Sequence, residues 1–437
     1  MIKQNRTIHK PMATKSNNGG EVRPSELLDN GRRIFEGDRT LWIIFAVLIV
    51  ISILVVYSST AKMAYDITSD LSTTDSLRQQ LMLVVMAVLI VFVFHKINYT
   101  VIRFFTPGIF YALVALTVAT YFIGSTTNGA ARWIPIGPFQ FQPSEALKVF
   151  TILMLARRME KRQKDIDKIH LLPTSWRLRD PKQIKILREN TRPLIGPIAL
   201  ACAVILPAHT SSAVIIFAAS VLMLFIGRVS MREITKFLIV TIIVGILGIT
   251  LMSNIGFGRG DTAGGRFSQW ANTWTSDGKH KAVYEFSDTE RAMIAIHEGG
   301  LFGKGAGHSA SRAAIIHPES DYAYSFFTSE YGLVAAIILM LLYLWITFRS
   351  IEICRRCTTA FPTLITAGLG LLITCQALLH ILVQVNILPE TGQNLPLISR
   401  GGSSLLVTAF AFALILGVSR TNDLRNYKQK ISTKNDE

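Results

Sequence analysis

Charge is scarce in this chain. Asp, Glu, Lys and Arg together make up 17% of its 437 residues, whereas half of the residues are apolar, and the mean hydropathy is +0.38. Soluble proteins carry about 25% charged residues. The composition therefore excludes an ordinary soluble protein and predicts an integral membrane protein.

Cysteine is also rare, and none lies in a predicted outer loop. Cys202 and Cys375 fall in predicted helices, while Cys354 and Cys357 form a Cys-Arg-Arg-Cys motif on the predicted inner side. This placement excludes a disulfide framework. A single Cys-x-x-Cys without a second ligand pair is a weak zinc signal, so we do not expect a metal there.

Several other features are missing. Residues 1–40 lack the apolar core of a cleavable signal, which predicts a disordered tail before a first helix that acts as an uncleaved anchor. No internal repeat indicates a transporter with two symmetric halves. We predict no soluble domain that could bind nucleic acid, and the net charge of +16 is explained by basic residues facing anionic lipid.

What the chain does have is a series of long apolar runs. A helix needs roughly 20 residues to cross a hydrocarbon core of about 30 Å. Runs of about this length occur at 41–57, 80–96, 101–124, 138–156, 193–208, 211–227, 232–253, 326–348, 360–386 and 400–419. We therefore predict an all-α integral membrane protein with about ten transmembrane helices and one large extracytoplasmic loop.

The basic residues predict the orientation. With the N-terminus inside, the predicted inner segments hold 33 of the 45 Lys and Arg residues and the outer segments hold 11, so both termini are predicted to be cytoplasmic. The membrane domain is predicted at 41–420, between the tail 1–40 and a second cytoplasmic tail, 421–437. The basic inner loop, about 157–192, is interpreted first as a solvated membrane-surface segment and second as a docking site. The outer loop covers about 254–325.

The outer loop contains RAMIAIHEGGLFGKGAG at 291–307. Its apolar patch and five following glycines predict a short helix lying on the membrane, followed by tight backbone turns. Loops of this length in compact folds are usually functional or disordered. The pattern here is not of low complexity and favours a functional loop.

Two motifs place polar groups near predicted span ends. In NGAARWIPIGPFQFQPSEALK (128–148), Arg132 is predicted at the outer interface, and Glu145 and Lys148 share a helical face. Glu145 and Lys148 could form a simple ion pair that holds helices together. Alternatively, because Arg132 leaves one positive charge unmatched, the three residues could bind an anionic ligand. In QALLHILVQVN (376–386), Gln376, His380 and Gln384 form a polar stripe, which interhelical hydrogen bonds alone would explain.

The segment PETGQNLPLISRGGSS (389–404) breaks the chain with prolines and glycines at the outer surface. Backbone N–H groups freed at Gly-Gly-Ser-Ser could receive an anion such as phosphate. The alternative is an ordinary helix cap made by Ser403 or Ser404. Upstream, HPESDYAYSFFTSEYG (317–332) puts His317, Glu319 and Asp321 at the point where the chain re-enters the membrane.

These motifs together identify a resemblance. NGAARWI, QPSEALK, IHEGGLFGKG, SDYAYSFFTSEYG and LPLISRGGSSLL, in this order over ten spans, resemble the SEDS family of peptidoglycan glycosyltransferases, the group of FtsW and RodA. The resemblance covers about 41 to 420. The long N-terminal tail and the form of the last motif favour the division-type branch over the elongation-type branch.

The resemblance implies that the protein polymerises lipid II at the outer face of the cytoplasmic membrane, with Asp321 at the position of the family's essential aspartate. It also implies a class B penicillin-binding protein as partner, other membrane proteins of the division complex, and a septal location. The chain departs from common family residues at Arg291, His380 and Arg400, where glutamine, asparagine and tyrosine are usual. These departures concern substrate contacts rather than the reaction class.

The implied chemistry suits one carboxylate. A sugar hydroxyl attacks an anomeric carbon as diphosphate departs, so a base is needed for the hydroxyl proton, and no acid is needed for the leaving group. Asp321 is the predicted base. Arg132, Lys148 and Arg400, or a divalent cation (Mg²⁺ or Mn²⁺) held by Asp321 and Glu319, would neutralise the diphosphate.

Two other functions fit a bundle with charged residues. A transporter of lipid-linked precursors would bind near the bilayer midplane, whereas Asp321, Arg132 and Ser403 are predicted at the outer edge. A non-catalytic scaffold of a division complex would not need Asp321.

Overall fold

A computed structural model describes most of the chain in detail. The described residues are 35–60, 73–127, 130–136, 139–172, 181–255, 260–275, 286–315 and 317–436. The chain divides into two units, Met1–Glu36 and Gly37–Glu437. Of the predicted tail 1–40, residues 1–34 lie outside the described residues, and Arg39 and Thr40 already belong to the first helix.

Helices dominate the described chain. They are α1 (Arg39–Thr60), α2 (Thr73–Phe94), α3 (Tyr99–Ile123), α4 (Pro143–Glu160), α5 (Pro181–Ile186), α6 (Arg192–Ile205), α7 (Thr210–Ile226), α8 (Met231–Ile255), α9 (Gly260–Thr275), α10 (Asp288–Gly299), α11 (Ser311–Ala314), α12 (Ala323–Arg355), α13 (Ala360–Gln384) and α14 (Gly402–Asp436). Each of the ten predicted spans overlaps one of these helices. Six of those described, α1, α2, α3, α12, α13 and α14, are long and apolar enough to cross a membrane, which confirms the predicted fold class.

Burial separates central helices from peripheral ones. In the apolar windows of α13 and α14, 78% of the residues are buried inside the protein, against 28% in α2, α3 and α12. A helix that is apolar all round can be buried against protein or face lipid. The helices α13 and α14 are therefore central, together with α4, whose residues 143–156 are all buried.

Hydrogen bonds and ion pairs show which loops share an end of the bundle. At one end, Asp38 pairs with Arg349 and the Arg425 guanidinium donates to the carbonyl of Arg356. We call this the Asp38 end. At the other end, called the Asp321 end, the indole N–H of Trp270 donates to the carbonyl of Asn386 at 3.0 Å. The alternation of inner and outer loops predicted from the spans agrees with this grouping.

A small antiparallel sheet precedes α4. Strands β1 (Ser125–Thr127), β2 (Ala130–Ile136) and β3 (Phe139–Phe141) lie in that order, and Ile134 is opposite Phe141. The predicted span 138–156 therefore begins too early, because Phe139–Phe141 forms β3 and the helix begins at Pro143. Proline suits the first turn of a helix, where its missing N–H is not needed.

The C-terminal helix also differs from the prediction. The span predicted at 400–419 is the first part of α14, which continues to Asp436 and so includes most of the predicted tail 421–437.

The basic loop 157–192 is anchored rather than fully solvated. Ile166, Ile169 and Leu171 are buried, and the Leu171 N–H donates to the Glu233 carboxylate at 2.9 Å. The surface-segment interpretation therefore does not fit this part of the loop. Buried apolar side chains and a buried carboxylate fix it to the start of α8.

The glycine-rich motif packs against a kink in α12. Gly332, with φ of +83°, interrupts that helix, and the backbone there is contacted by the turn that follows α10. The Lys304 N–H donates to the Ser329 carbonyl at 3.1 Å, and the Leu333 N–H donates to the Gly300 carbonyl at 2.9 Å. The turns predicted from the glycines are thus present, and they satisfy backbone groups that the kink frees.

Candidate functional site

Asp321 lies two residues before α12, at the edge of a crevice. Its backbone carbonyl accepts a hydrogen bond of 2.7 Å from the Gln384 side-chain amide, and the Gln384 carbonyl oxygen accepts one from Ser325. These bonds fix the position of the loop while using only the backbone of Asp321. The carboxylate of Asp321 takes part in neither bond. The crevice is lined by Asp321, Tyr322, His380, Val383, Gln384, Glu390, Thr391, Gly392 and Gln393.

The surroundings make the Asp321 carboxylate more basic than an exposed one. Burial is the main reason that its pKa is raised, and Glu390 and Glu319 add to this effect, while His317 and Arg266 oppose it. A raised pKa strengthens a carboxylate as a proton acceptor. The site therefore suits general-base chemistry.

Glu319 is in a different situation. Burial raises its pKa, but the nearby imidazole of His317 and the charge of Arg400 outweigh burial, so that the net pKa is lowered. His317 Nδ1 and Glu319 Oε1 are 3.8 Å apart, an ion-pair distance rather than a hydrogen bond. Glu319 is therefore a charged partner within the loop and a weaker base than Asp321.

Arg400 and Ser399 hold the last motif to the Asp321 loop. The Arg400 N–H donates to the Glu319 carbonyl at 2.7 Å, and the Ser399 hydroxyl donates to the Ser320 carbonyl at 2.7 Å. The Arg400 guanidinium donates to Gln79 at 2.7 Å. The structure thus brings the backbone of Arg400 to the loop that carries Asp321, and diphosphate binding by its guanidinium stays a prediction.

Lys148 and Glu145 form a buried ion pair, with 2.8 Å between Nζ and Oε1. Lys148 also donates to Gln376 at 3.2 Å, and the Gln376 amide donates to the Asn394 carbonyl at 3.1 Å. These four residues therefore connect α4, α13 and the segment before α14. The predicted ion pair is present in the structure. Substrate binding by the same residues stays a prediction. Arg132 lies in β2, and its side chain is outside the described structure.

Ser403 joins the start of α14 to the sheet. Its hydroxyl accepts from the Gln142 N–H at 3.1 Å and donates to the Gln140 carbonyl at 3.3 Å. Ser404 is buried, and its carbonyl accepts from the Thr408 hydroxyl at 2.7 Å. These contacts are structural, and anion binding by either serine stays a prediction.

His380 and Gln393 begin a polar network that the sequence reasoning missed. The Gln393 carbonyl contacts His380 Nδ1 at 2.6 Å, and the Gln393 amide lies 2.9 Å from His209 Nδ1 and 2.9 Å from Ser211 Oγ. The Ser211 hydroxyl donates to the Thr391 carbonyl at 2.9 Å. The available signal was the polar run His209–Ser212 at the start of the apolar helix α7.

Three other residues near Asp321 were also missed. Tyr322 donates its phenolic hydrogen to Glu390 at 3.0 Å, and the charge of Arg266, in α9, lowers the pKa of Asp321. Glu390 and Arg266 come from separate segments, so neither is adjacent to Asp321 in sequence. Their nearness is a product of the fold.

The arrangement of donor side chains bears on whether a divalent cation could bind. Within the residues that the structure describes, no group of three or more His, Cys, Asp or Glu side chains could hold an ion. Magnesium is commonly held by one or two carboxylates together with substrate phosphates. Asp321 and Glu319 could fit that pattern only if the ligand supplied the remaining oxygens.

The fold and the site define a class of protein: a multi-pass helical membrane protein with a partly buried carboxylate, Asp321, in a crevice at one end of its bundle. The family model of FtsW, RodA and SpoVE, described as "Cell cycle protein", matches residues 38–424. The chain belongs to this family, which confirms the resemblance seen in its motifs.

Two curated relatives carry the name probable peptidoglycan glycosyltransferase FtsW. That of Saccharophagus degradans is 28% identical over 326 residues, 74% of this chain and 76% of the relative. That of Allochromatium vinosum is 30% identical over 312 residues, 70% of each chain. The stage V sporulation protein E of Bacillus subtilis is 25% identical over 393 residues, 88% of this chain and 97% of the relative.

Solved structures share the fold. A structure described as the structural coordination of polymerization and crosslinking by a peptidoglycan synthase complex has a TM-score of 0.63 at 19% identity, covering 88% of this chain and 98% of that chain. The crystal structure of Thermus thermophilus RodA has a TM-score of 0.56 at 21% identity, covering 88% of this chain and 97% of that chain. At these identities the likeness concerns the fold alone.

Proposed function

We propose that this protein is a peptidoglycan glycosyltransferase that polymerises lipid II into glycan strands. The observation that carries the proposal is the Asp321 carboxylate, whose pKa is raised mainly by burial and whose loop is fixed through its backbone. The names of the FtsW relatives support the same activity.

In the proposed reaction, Asp321 accepts the proton of a sugar hydroxyl on one substrate. The hydroxyl oxygen forms a bond to the anomeric carbon of the second substrate, and the bond between that carbon and the diphosphate oxygen breaks. The electron pair leaves with the diphosphate, and the configuration of the carbon is inverted. One base is sufficient because a diphosphate departs without a proton.

The departing charge needs positive groups. Lys148 lies in the buried pair with Glu145 and Arg400 lies beside Glu319, so both, with Arg132, are the proposed diphosphate-binding residues. A divalent cation, Mg²⁺ or Mn²⁺, held by Asp321 or Glu319 together with diphosphate oxygens, would supply further neutralisation. Gln376, His380, Ser403 and Ser404 are the other proposed substrate-binding residues.

The proposed setting is the division septum, with both chain termini in the cytoplasm. The concentration of Lys and Arg in the predicted inner segments supports this orientation. The proposed partner is a class B penicillin-binding protein that crosslinks the strands, together with other membrane proteins of the division complex. The solved synthase complex, which coordinates polymerization and crosslinking, supports a partner of this kind.

The test is polymerisation of purified lipid II by the purified protein, with and without the partner. Glycan strands should form with the parent protein and not with Asp321→Asn. Failure of the folded parent protein to form strands in both conditions would contradict the proposal. Movement of lipid II across a vesicle membrane without polymer formation would support the transporter instead.

A further inference from the structure

His380 has one nitrogen whose role the fold does not explain. The side chain is 2% exposed and lines the crevice that contains Asp321. Its Nδ1 contacts the Gln393 carbonyl at 2.6 Å. Its Nε2 is buried and has no hydrogen-bond partner among the residues that the structure describes.

The contact to Gln393 determines which nitrogen carries the hydrogen. A carbonyl oxygen can only accept, so Nδ1 must donate, and in the neutral imidazole Nε2 is then an acceptor with a free lone pair. Leaving a buried acceptor unsatisfied costs about 1–3 kcal/mol. Such groups in native structures call for an explanation, of which a ligand is one.

Gln393, which holds the His380 ring through its backbone carbonyl, is itself held in place. Gln393 is fixed by the contacts of its side-chain amide with His209 and Ser211. The carbonyl that fixes the His380 ring is therefore itself part of a network that connects α7 with α13. A side chain held in this way is pre-organised to accept a hydrogen bond in one direction.

We propose that His380 Nε2 accepts a hydrogen bond from a donor on the sugar of the substrate, a hydroxyl or the N–H of an N-acetyl group, within the Asp321 crevice, which is tight in this structure and must widen to admit that group. This inference rests on the proposed function and extends it, because it assigns an atom, a tautomer and a class of ligand group. His380 is then a substrate-binding residue that helps to select which sugar is bound beside the base.

Two substitutions distinguish the contributions of the two ring nitrogens of His380. In His380→Asn, the side-chain amide can replace Nδ1 as the donor to Gln393, but nothing replaces Nε2. In His380→Gln, the amide reaches the position of Nε2 and can present an acceptor there, but the bond to Gln393 is lost. His95→Asn is the matched control, because His95 is also buried and its Nδ1 contacts the Val91 carbonyl at 2.9 Å, after α2 and away from the crevice.

The experiment measures kcat, KM for lipid II and the melting temperature of each purified variant with its partner. His380→Asn should keep the melting temperature and raise KM about 2- to 10-fold, the loss expected for one neutral hydrogen bond. His380→Gln should melt at a lower temperature and keep a KM nearer to that of the parent. His95→Asn should leave KM unchanged.

The opposite pattern would overturn the inference. If His380→Asn has the KM and kcat of the parent while His380→Gln loses both stability and activity, the histidine only supports Gln393. A second measurement does not depend on turnover: lipid II should raise the melting temperature of the parent more than that of His380→Asn. If the parent makes no polymer, the proposed function fails. If lipid II raises the melting temperatures of the parent and of His380→Asn equally, the histidine contact is rejected as well.

Discussion

At the scale of single residues, two carboxylates, Asp321 and Glu390, line the crevice and a third, Glu319, lies near Asp321. Their partners distinguish them. Glu319 pairs with His317, and Glu390 accepts from Tyr322. Asp321 is held instead through its backbone carbonyl, which accepts from Gln384. Asp321 is therefore the carboxylate best placed to act as the base.

The first prediction is that Asp321→Asn abolishes polymerisation. Asparagine keeps the size of the side chain and the backbone bond to Gln384, but it cannot accept the hydroxyl proton. A positioned base contributes about 10²–10⁴-fold, so the rate of glycan synthesis from purified lipid II should fall by that factor with little change in melting temperature. Glu390→Gln is the control and should keep most of the activity. Strand synthesis by the asparagine variant at the parental rate would remove Asp321 from the base role.

The second prediction concerns the Glu145–Lys148 pair. Removing one member of a buried ion pair leaves the other charge buried without a partner, which costs roughly 3–5 kcal/mol. Lys148→Met should therefore lower the melting temperature markedly. The double variant Glu145→Gln with Lys148→Met should recover most of that loss. If the pair also holds the diphosphate, the double variant should fold but polymerise poorly. Full activity of the folded double variant would limit both residues to structure.

At the scale of elements, the junction between the glycine turn and the α12 kink is the most constrained contact of the loop. A Cβ built at Gly303 would lie 2.1 Å from the backbone carbonyl oxygen of Glu330. The same loop contributes the Gly307 N–H, which donates to the Glu330 carboxylate at 2.8 Å. Backbone approach at this distance is available only to glycine.

The third prediction compares two glycines of this turn. Gly303 and Gly300 both have positive φ, of +81° and +57°, but a Cβ at Gly300 would meet nothing within 4 Å. Gly303→Ala should therefore lower the melting temperature more than Gly300→Ala, which carries only the backbone strain of about 1–3 kcal/mol. Thermal unfolding in detergent measures the difference. Equal losses would show that the loop moves away from Glu330 without cost.

The same elements show what sequence can predict. Apolar runs identified the ten helical segments, because membrane thickness sets their length, and the spacing of Glu145 and Lys148 predicted their shared face. The contact between Gln393 and His209 joins residues 184 positions apart, and that between Lys148 and Gln376 joins residues 228 apart. Such pairs depend on how α4, α7 and α13 pack, and no local pattern encodes that packing.

The strands were missed for a different reason. The apolar run that was assigned to the start of the fourth span contains Phe139–Phe141, which pairs with β2. Short apolar runs do not distinguish a strand from the end of a helix. Only Pro143, which suits a helix start, marked the boundary.

At the scale of the whole molecule, the two ends of the bundle differ in chemistry. The Asp38 end contains the arginine contacts of Arg349 and Arg425, and the Asp321 end contains the crevice. In the predicted topology, 33 basic residues lie in segments on the Asp38 side of the membrane and 11 on the other. Because basic flanks are retained in the cytoplasm, the proposed chemistry would take place on the outer face, where polymer is deposited.

The last prediction tests this orientation in cells. Ala310 and Lys164 are both exposed in the structure; Ala310 lies in the loop before α12, and Lys164 lies in the anchored basic loop. In a background where the four native cysteines are replaced by serine, Ala310→Cys should react with a membrane-impermeant thiol reagent in cells whose cytoplasmic membrane is intact. Any layer outside that membrane is first made permeable to the reagent. Lys164→Cys should react only after the cytoplasmic membrane is opened. Labelling in the reverse order would place Asp321 in the cytoplasm, where a polymerase of exported strands could not work, so it would overturn the orientation and the proposed function together.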